Sequence, residues 1–264
     1  MQKSTPGFGT EDADSLRTRI SSEIESAVGR SSLNPREKIA LSCRFLADQG
    51  HARTLAGQIS LREDDGSFWT TGFASGFADA SVSSLVRVDT DLRVLEGRDI
   101  ANPATRFHLW VYAKRPDVRC IVHTHPPHAS ALAMSGKPLI VSHMDMMMFH
   151  DDLAQLSEWP GVPIANEEGV IISEALGGKS SLLLANHGIL TVGDTLEKAI
   201  YLAANLEYAA ELQYLCTSSG SAPKEVPARL AREARKFMVA PKVMQATVDY
   251  WLRSALKLHP DAVA

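Results

Sequence analysis

Val122-His123-Thr124-His125-Pro126-Pro127 stands where an apolar run gives way to a proline-led segment. Residues 119–124 read as an apolar strand, and strand side chains alternate faces, so His123 and His125 point the same way from its C-terminal end. Pro126-Pro127 suits the first turn of a helix that should run to Ser135-Gly136. A second apolar strand is expected at 180–185, and His187 and Gly188 follow it. If the two strands are neighbours, their ends meet and a third imidazole joins the pair. Three histidines with open positions for water or substrate form a catalytic metal arrangement. An isolated His-x-His is often just a polar strand end; His187 followed by glycine after a second buried strand favours the metal, and the residues alone leave both readings open.

Working outward, Asn34-Pro35-Arg36-Glu37 is a helix start: Asn34 caps, Pro35 suits the first helical position and Glu37 completes a capping box. That helix should end near Asp48, before Gly50. A short helix is expected over 15–28. Residues 58–71 read as a hairpin turning at Asp64-Asp65-Gly66. Strands are expected at 84–88, 91–96 and 138–142, and helices at 105–115 and 166–176. Asp194-Thr195-Leu196-Glu197 reads as a second capping box opening a long helix, with Leu196, Ala199, Ile200, Ala203, Leu206 and Ala210 on one face. A Ser/Gly/Pro linker at 217–224 leads into a basic helical tail. Met146-Met147-Met148 is expected to fill core or interface. The expected organisation is an N-terminal arm at 1–30, a catalytic domain at 31–216 and a C-terminal linker and tail at 217–264. That tail would pack on the same domain or on a neighbouring subunit. Strands and helices interleave without strict βαβ order, so an α/β domain around an antiparallel or mixed sheet is expected.

The 264 residues suit one large domain, and 45% hydrophobic residues supply a sizeable core. With 27 Lys+Arg against 31 Asp+Glu and no basic run, no nucleic-acid partner is expected. No stretch reaches the length of a membrane span, and the polar, acidic first thirty residues do not resemble a signal peptide. Cys43, Cys120 and Cys216 are scattered, which reads as buried thiols in a reducing, cytoplasmic setting. There is no dinucleotide-binding glycine turn, no phosphate-binding P-loop and no nucleophile elbow.

Two segments carry a strong resemblance. Val122-His123-Thr124-His125-Pro126-Pro127-His128-Ala129 and Leu184-Ala185-Asn186-His187-Gly188-Ile189-Leu190-Thr191-Val192-Gly193 resemble the paired signatures of the class II aldolase/adducin family. Arg115-Pro116-Asp117-Val118 fits as well, as does Gly57-Gln58-Ile59-Ser60-Leu61-Arg62, where the family usually has Asn at the position of Gln58. The resemblance covers roughly residues 35 to 215. It implies an α/β/α three-layer sandwich around a mostly antiparallel sheet. It also implies homotetramers with sites near subunit boundaries, and His123, His125 and His187 as ligands of one divalent metal per subunit. Zinc and manganese are the usual metals, with iron a further candidate. The adducin branch lacks these histidines, so their presence implies an enzyme.

Sugar-phosphate aldolases of the family carry a glutamate four residues before the histidine matching His108. Here that position is Ala104, which cannot exchange a proton. The resemblance therefore turns toward the family's metal-dependent decarboxylases of hydroxylated aromatic dicarboxylates, of phthalate or pyridine type. Aldol cleavage of a sugar phosphate or 2-oxo acid, and non-haem iron oxygenation of an aromatic 2-oxoacid, are the alternatives. The expected substrate is a small carboxylate. His128 or a bound water is the candidate proton donor, and His128 is otherwise a helix cap or a surface residue. Glu168 is a candidate for orienting a ligand imidazole or else a helix cap. Arg106 is a candidate for holding a second carboxylate through its planar fork, against a surface ion pair. Arg62 and Thr71 are further substrate-binding candidates, Thr71 in a weakly matching loop at 70–76.

Overall fold

The computed structural model of the chain describes residues 12–29, 31–162 and 165–264; half of the arm expected over 1–30 is the helix α1 (Ala13–Ala27), and residues 1–11 and 30 lie outside the described residues. In α2 (Pro35–Asp48) the Asn34 side chain accepts from the Arg36 and Glu37 amides, and Glu37 reaches back to the Asn34 amide at 2.8 Å. The capping box read from the sequence is present.

The strands β1 (Gln58–Arg62) and β2 (Phe68–Thr71) form the expected hairpin, and β3 (Leu85–Val88) and β4 (Val94–Glu96) extend it to one edge. After α3 (Arg106–Lys114), β5 (Cys120–Thr124) pairs antiparallel with β1, and α4 (Pro127–Ser135) follows it. Beyond β6 (Leu153–Leu156), the chain forms α5 (Asn166–Leu176), β7 (Ser181–Leu184) and β8 (Gly188–Gly193). Three helices close it: α6 (Leu196–Ser218), α7 (Ala228–Met238) and α8 (Pro241–Leu258). The sheet order is β4-β3-β2-β1-β5-β8-β7-β6, antiparallel throughout except for the parallel β6–β7 edge.

Side-chain alternation builds a core on each face. Ile59, Cys120, Val122, Leu183 and Ile189 pack with α2, α4, α6 and α8. Ile121, Leu182, Leu184, Leu190 and Val192 pack with α3 and α5. Burying both faces is why β5, β7 and β8 read as near-continuous apolar runs. The result is the expected layered α/β fold, a mixed, mostly antiparallel sheet flanked by helices.

Three sequence expectations need correction. Residues 138–142 form no strand: the Ile140 amide donates to Gln213 Oε1, Gln213 Nε2 donates to the Pro138 carbonyl, and the Val226 amide donates to the Val141 carbonyl. These backbone groups are satisfied by α6 and the linker after it, so no sheet partner is needed. At the start of α6 the cap is Thr195, which accepts from the Lys198 amide, while Glu197 turns away to an ion pair with Lys38 at 2.5 Å. Finally, the strand beside β5 is β8 and not β7, so His187 lies in the turn between them. Met146, Met147 and Met148 are buried in the core as expected.

The C-terminal helices pack back on the chain. Phe45 of α2 stacks on Trp251 of α8 at 4.9 Å, and Arg235 of α7 meets Asp152 at 2.6 Å. Cys43 and Cys120 are buried free thiols. No described helix is long and apolar enough to cross a membrane.

Candidate metal centre

The β5–β8 ladder pairs His123 with Leu190 and Thr124 with Ile189, which brings the β7–β8 turn beside the C-terminal end of β5. The turn itself is forced by Asn186, whose φ of 53° lies in the left-handed region that asparagine tolerates better than most side chains. Gly188 follows. A Cβ there would stand 2.3 Å from the Thr124 carbonyl oxygen and 2.7 Å from Cδ2 of His125. Only glycine permits this approach, and the approach delivers His187 to the pair.

The three imidazoles form a compact group. Ring centroids are 4.8 Å apart for His123–His125, 4.7 Å for His123–His187 and 4.6 Å for His125–His187. One ring nitrogen of each lies within 4.8 Å of the others. His123 is buried and the other two are half-buried, so the group opens to one side. Burial drives all three pKa values down. His123 falls well below its ordinary value, by burial first and then by the neighbouring His187 and His125; His125 falls by burial; His187 falls to about 4, by burial and then His125. All three are neutral at pH 7, as ligand imidazoles must be.

The proton on His123 can be placed. Its Nδ1 is 2.8 Å from the Ile189 carbonyl oxygen, which can only accept, so Nδ1 carries the hydrogen. Its Nε2 then presents a lone pair, 3.0 Å from Nε2 of His125. Two nitrogens this close need a proton or a cation between them. A divalent cation fits the donor set: neutral, convergent, mostly buried imidazoles of the kind that bind zinc, manganese or iron.

The match to known proteins is broad. The family model for the class II aldolase and adducin N-terminal domain matches residues 37–214. The chain belongs to the class II aldolase and adducin family. It is similar to the decarboxylase NovR of Streptomyces niveus, 30% identical over 198 residues, 73% of each chain. It is similar to the 3,4-dihydroxyphthalate decarboxylase of Arthrobacter keyseri, 31% identical over 206 residues, 73% of this chain and 82% of that one. It is similar, too, to a 5-methylthioribulose-1-phosphate/5-deoxyribulose-1-phosphate aldolase of Rhodospirillum rubrum, 30% identical over 212 residues, 77% of this chain and 93% of that one. A histidine-based metal site on this family's fold supports metal-dependent catalysis in general.

Around the centre, other members of the family signature fall into place differently from the sequence expectation. Glu168, in the first turn of α5, hydrogen-bonds none of the three imidazoles; its Oε2 is buried without a partner among the described residues, and it caps nothing, since α5 starts at Ala165 without a side-chain cap. The orienting contact on His123 comes from Ile189 instead. His128 Nδ1 lies 2.8 Å from Oε1 of Glu207 on α6. That same carboxylate accepts from the His128 and Ala129 amides, at 3.0 and 2.8 Å, and so caps α4 from a neighbouring helix. Thr71 closes β2 opposite Leu85, one residue out of phase with Thr70, which shares a face with Ser60 and His123. Its side chain therefore leaves the sheet on the far face from His123. Arg62 sits at the other end of β1 from the histidines, donating to the Pro116 carbonyl at 2.6 Å and lying 5.0 Å over the Tyr112 ring. Arg106 lines the same cavity as Arg62, and no metal-site histidine lines it.

Two neighbours were not anticipated. Gln58 pairs directly with His123 in the β1–β5 ladder, so the two side chains share a face; Gln58 is 2% exposed and its Oε1 has no partner among the described residues. His51 is buried, meets Thr124 Oγ1 at 2.9 Å through Nδ1, and its carbonyl accepts from the His125 amide at 3.0 Å. The signal for Glu207 was present in the sequence: a carboxylate set in the stripe of Ala203, Leu206 and Ala210 must find a buried partner.

Proposed function

We propose that the chain is a metal-dependent carbon–carbon lyase, and specifically a decarboxylase of a hydroxylated aromatic dicarboxylate, phthalate- or pyridine-type, or of a related hydroxy or oxo acid. The observation that carries this reading is Ala104. It stands where the family's sugar-phosphate aldolases place their proton-exchanging glutamate, four residues before His108. Loss of carbon dioxide needs no acid at that position. The two decarboxylases among the relatives support the same reading.

In this proposal His123, His125 and His187 hold the cation, Ile189 keeps His123 in the tautomer that offers Nε2, and Gly188 leaves room for the turn. A divalent cation so held supplies Lewis-acid stabilisation of negative charge on a substrate oxygen. With three neutral protein ligands, the charge of that cation is left to an anionic substrate. Gln58, buried beside His123 with an unpaired carboxamide oxygen, accepts a hydrogen bond from the substrate hydroxyl; an unpaired buried group of this kind otherwise costs about 1–3 kcal/mol. The carboxylate carbon leaves as carbon dioxide, the bonding pair stays on the ring or enolate carbon, and that carbon takes one proton. His128 in its imidazolium form is our candidate donor: the Glu207 carboxylate accepts its Nδ1 hydrogen, and the proton on Nε2 is the one given to the carbon, leaving a neutral imidazole.

The second reading is aldol cleavage, favoured by the aldolase relative. A product screen by mass spectrometry separates the readings. Metal-reconstituted protein is incubated with hydroxyphthalates, hydroxypyridine dicarboxylates and sugar phosphates, with and without oxygen. A product lighter by one carbon dioxide supports decarboxylation. Two carbonyl fragments, or strict oxygen dependence, overturn it in favour of aldolase or oxygenase chemistry.

A further inference from the structure

A cavity of about 420 Å³ lies between the outer face of α3 and the β1–β2 hairpin. Its size is within the range that takes small organic ligands. It is lined by Phe68, Leu109, Trp110 and Tyr112 and by two arginines, Arg62 and Arg106. Among the described residues no aspartate or glutamate lines it. That is a local inversion in a chain of net charge -4. On the adjoining hairpin turn Asp64 pairs with Arg119 at 2.7 Å and Asp65 with Arg87 at 3.3 Å, while Glu63 does not line the cavity.

The two arginines differ in a telling way. Arg62 is fixed, with its NH groups on the Pro116 and Tyr112 carbonyls and its plane over the Tyr112 ring. Arg106 is half-buried, and its guanidinium makes no hydrogen bond or ion pair with any described residue. A half-buried guanidinium without an anion is a binding group awaiting one, because its planar fork pairs bidentately with a carboxylate. The half-buried Leu109 and Trp110 supply the apolar surface for a flat body attached to that carboxylate, with the buried Phe68 and Tyr112 behind them.

We infer that this cavity is a second binding site, for a small aromatic carboxylate, separate from the metal centre. The separation follows from the sheet register. Gln58 is the β1 residue opposite His123, and Arg62 is four residues farther along the same strand, about 13 Å away at strand spacing. A ligand held between Arg62 and Arg106 therefore does not touch the histidines. The inference does not depend on which reaction the metal centre performs.

Titration calorimetry of the metal-loaded chain with benzoate tests it, with benzamide as the uncharged isostere. Benzoate should bind saturably, one per chain, and benzamide at least about tenfold more weakly, the loss expected when a charge-assisted pair worth about 1.4 kcal/mol is removed. Arg106→Ala should weaken benzoate by at least about tenfold. Ala113→Glu, an exposed position on the same face of α3, sets a carboxylate beside the guanidinium groups and should abolish binding without disturbing the core. His187→Ala should leave benzoate binding as it is. Binding that disappears with His187→Ala, or that ignores both Arg106→Ala and Ala113→Glu, assigns benzoate to the metal centre and overturns the inference. Absence of saturable benzoate binding at millimolar concentration overturns it too. So does a change of sedimentation mass in Ala113→Glu without any benzoate binding in the parent, which would make the cavity a contact between copies.

Discussion

The Ile189 carbonyl accepts the Nδ1 hydrogen of His123 at 2.8 Å, and this one bond across the β5–β8 ladder settles which nitrogen His123 turns toward His125 and His187. A backbone acceptor is a firm choice for the task. It cannot donate, so the other tautomer is excluded, and it cannot be removed by substituting its side chain.

His187→Ala should leave a folded chain that has lost most of its metal. β7 and β8 bury their leucines and isoleucine whether or not the imidazole is present. The site loses one of three protein ligands, and loss of an outer-shell partner alone typically costs about 10–100-fold in affinity. Metal analysis after dialysis, with circular dichroism for the fold, checks this. Equal metal content in both folded proteins defeats the three-histidine site.

Gly188→Ala should damage the centre without touching a ligand. The added methyl meets a backbone oxygen, which cannot swing aside as a flexible side chain can. Overpacking of this kind costs about 1–3 kcal/mol. The expected result is a lower urea midpoint together with at least about tenfold weaker metal binding. A variant with parental stability and affinity would show that the β7–β8 turn is not held against β5 as described.

Glu207→Ala should destabilise the chain by about 1–2 kcal/mol, the scale of losing a helix cap, because the His128 and Ala129 amides lose their acceptor together. Glu207→Gln should fall between, since the two amides use different oxygens and only one remains an acceptor. If His128 donates the proton, both variants should also lower kcat and alter its pH profile while metal content stays at parental level. An unchanged profile removes His128 from the proton step.

Acid should weaken the fold through its buried neutral histidines. His51 is held by burial at a pKa of about 3, against an ordinary 6.5. The unfolded chain therefore binds one more proton at this residue between those values. Stability is unaffected above pH 6.5 and falls as pH drops toward 3, by about 1.4 kcal/mol per pH unit for one such group. Urea unfolding of metal-free protein at pH 7.5 and 5.5 measures the slope. His51→Asn, whose carboxamide can still meet Thr124 Oγ1, should show a shallower one. Identical slopes in the two proteins would place the acid sensitivity elsewhere.

Local chemistry was enough for much of the fold. The Asn34–Glu37 box, the 58–71 hairpin and the limits of α5 rest on contacts within a few residues, and they appear where the residues predict them; α4 also starts at its prolines as expected, with its first amides capped by the distant Glu207. Where a long-range partner intervened, local reading failed. Residues 138–142 have strand-like composition, yet Gln213, seventy-three residues on, takes the Ile140 amide. Glu197 looks like a cap but is drawn to Lys38, far away in the sequence.

The candidate site divides in the same way. The ligand types and their pairing were legible along the chain: His123 and His125 point the same way because side chains alternate, and His187 follows a buried apolar run and precedes a glycine. Other features were settled only once the chain folded: which strand lies beside β5, that Ile189 sets the His123 tautomer, that Glu207 holds His128, and that Arg62 and Arg106 line one cavity which no metal-site histidine lines. These depend on sheet order and on which helix faces which strand, and such contacts join residues that no periodicity relates. Alternation and capping act over a few residues and can be read along a chain. Packing across 36 residues in Arg44–Ala80, 66 in His123–Ile189 or 79 in His128–Glu207 is decided only when the whole core closes.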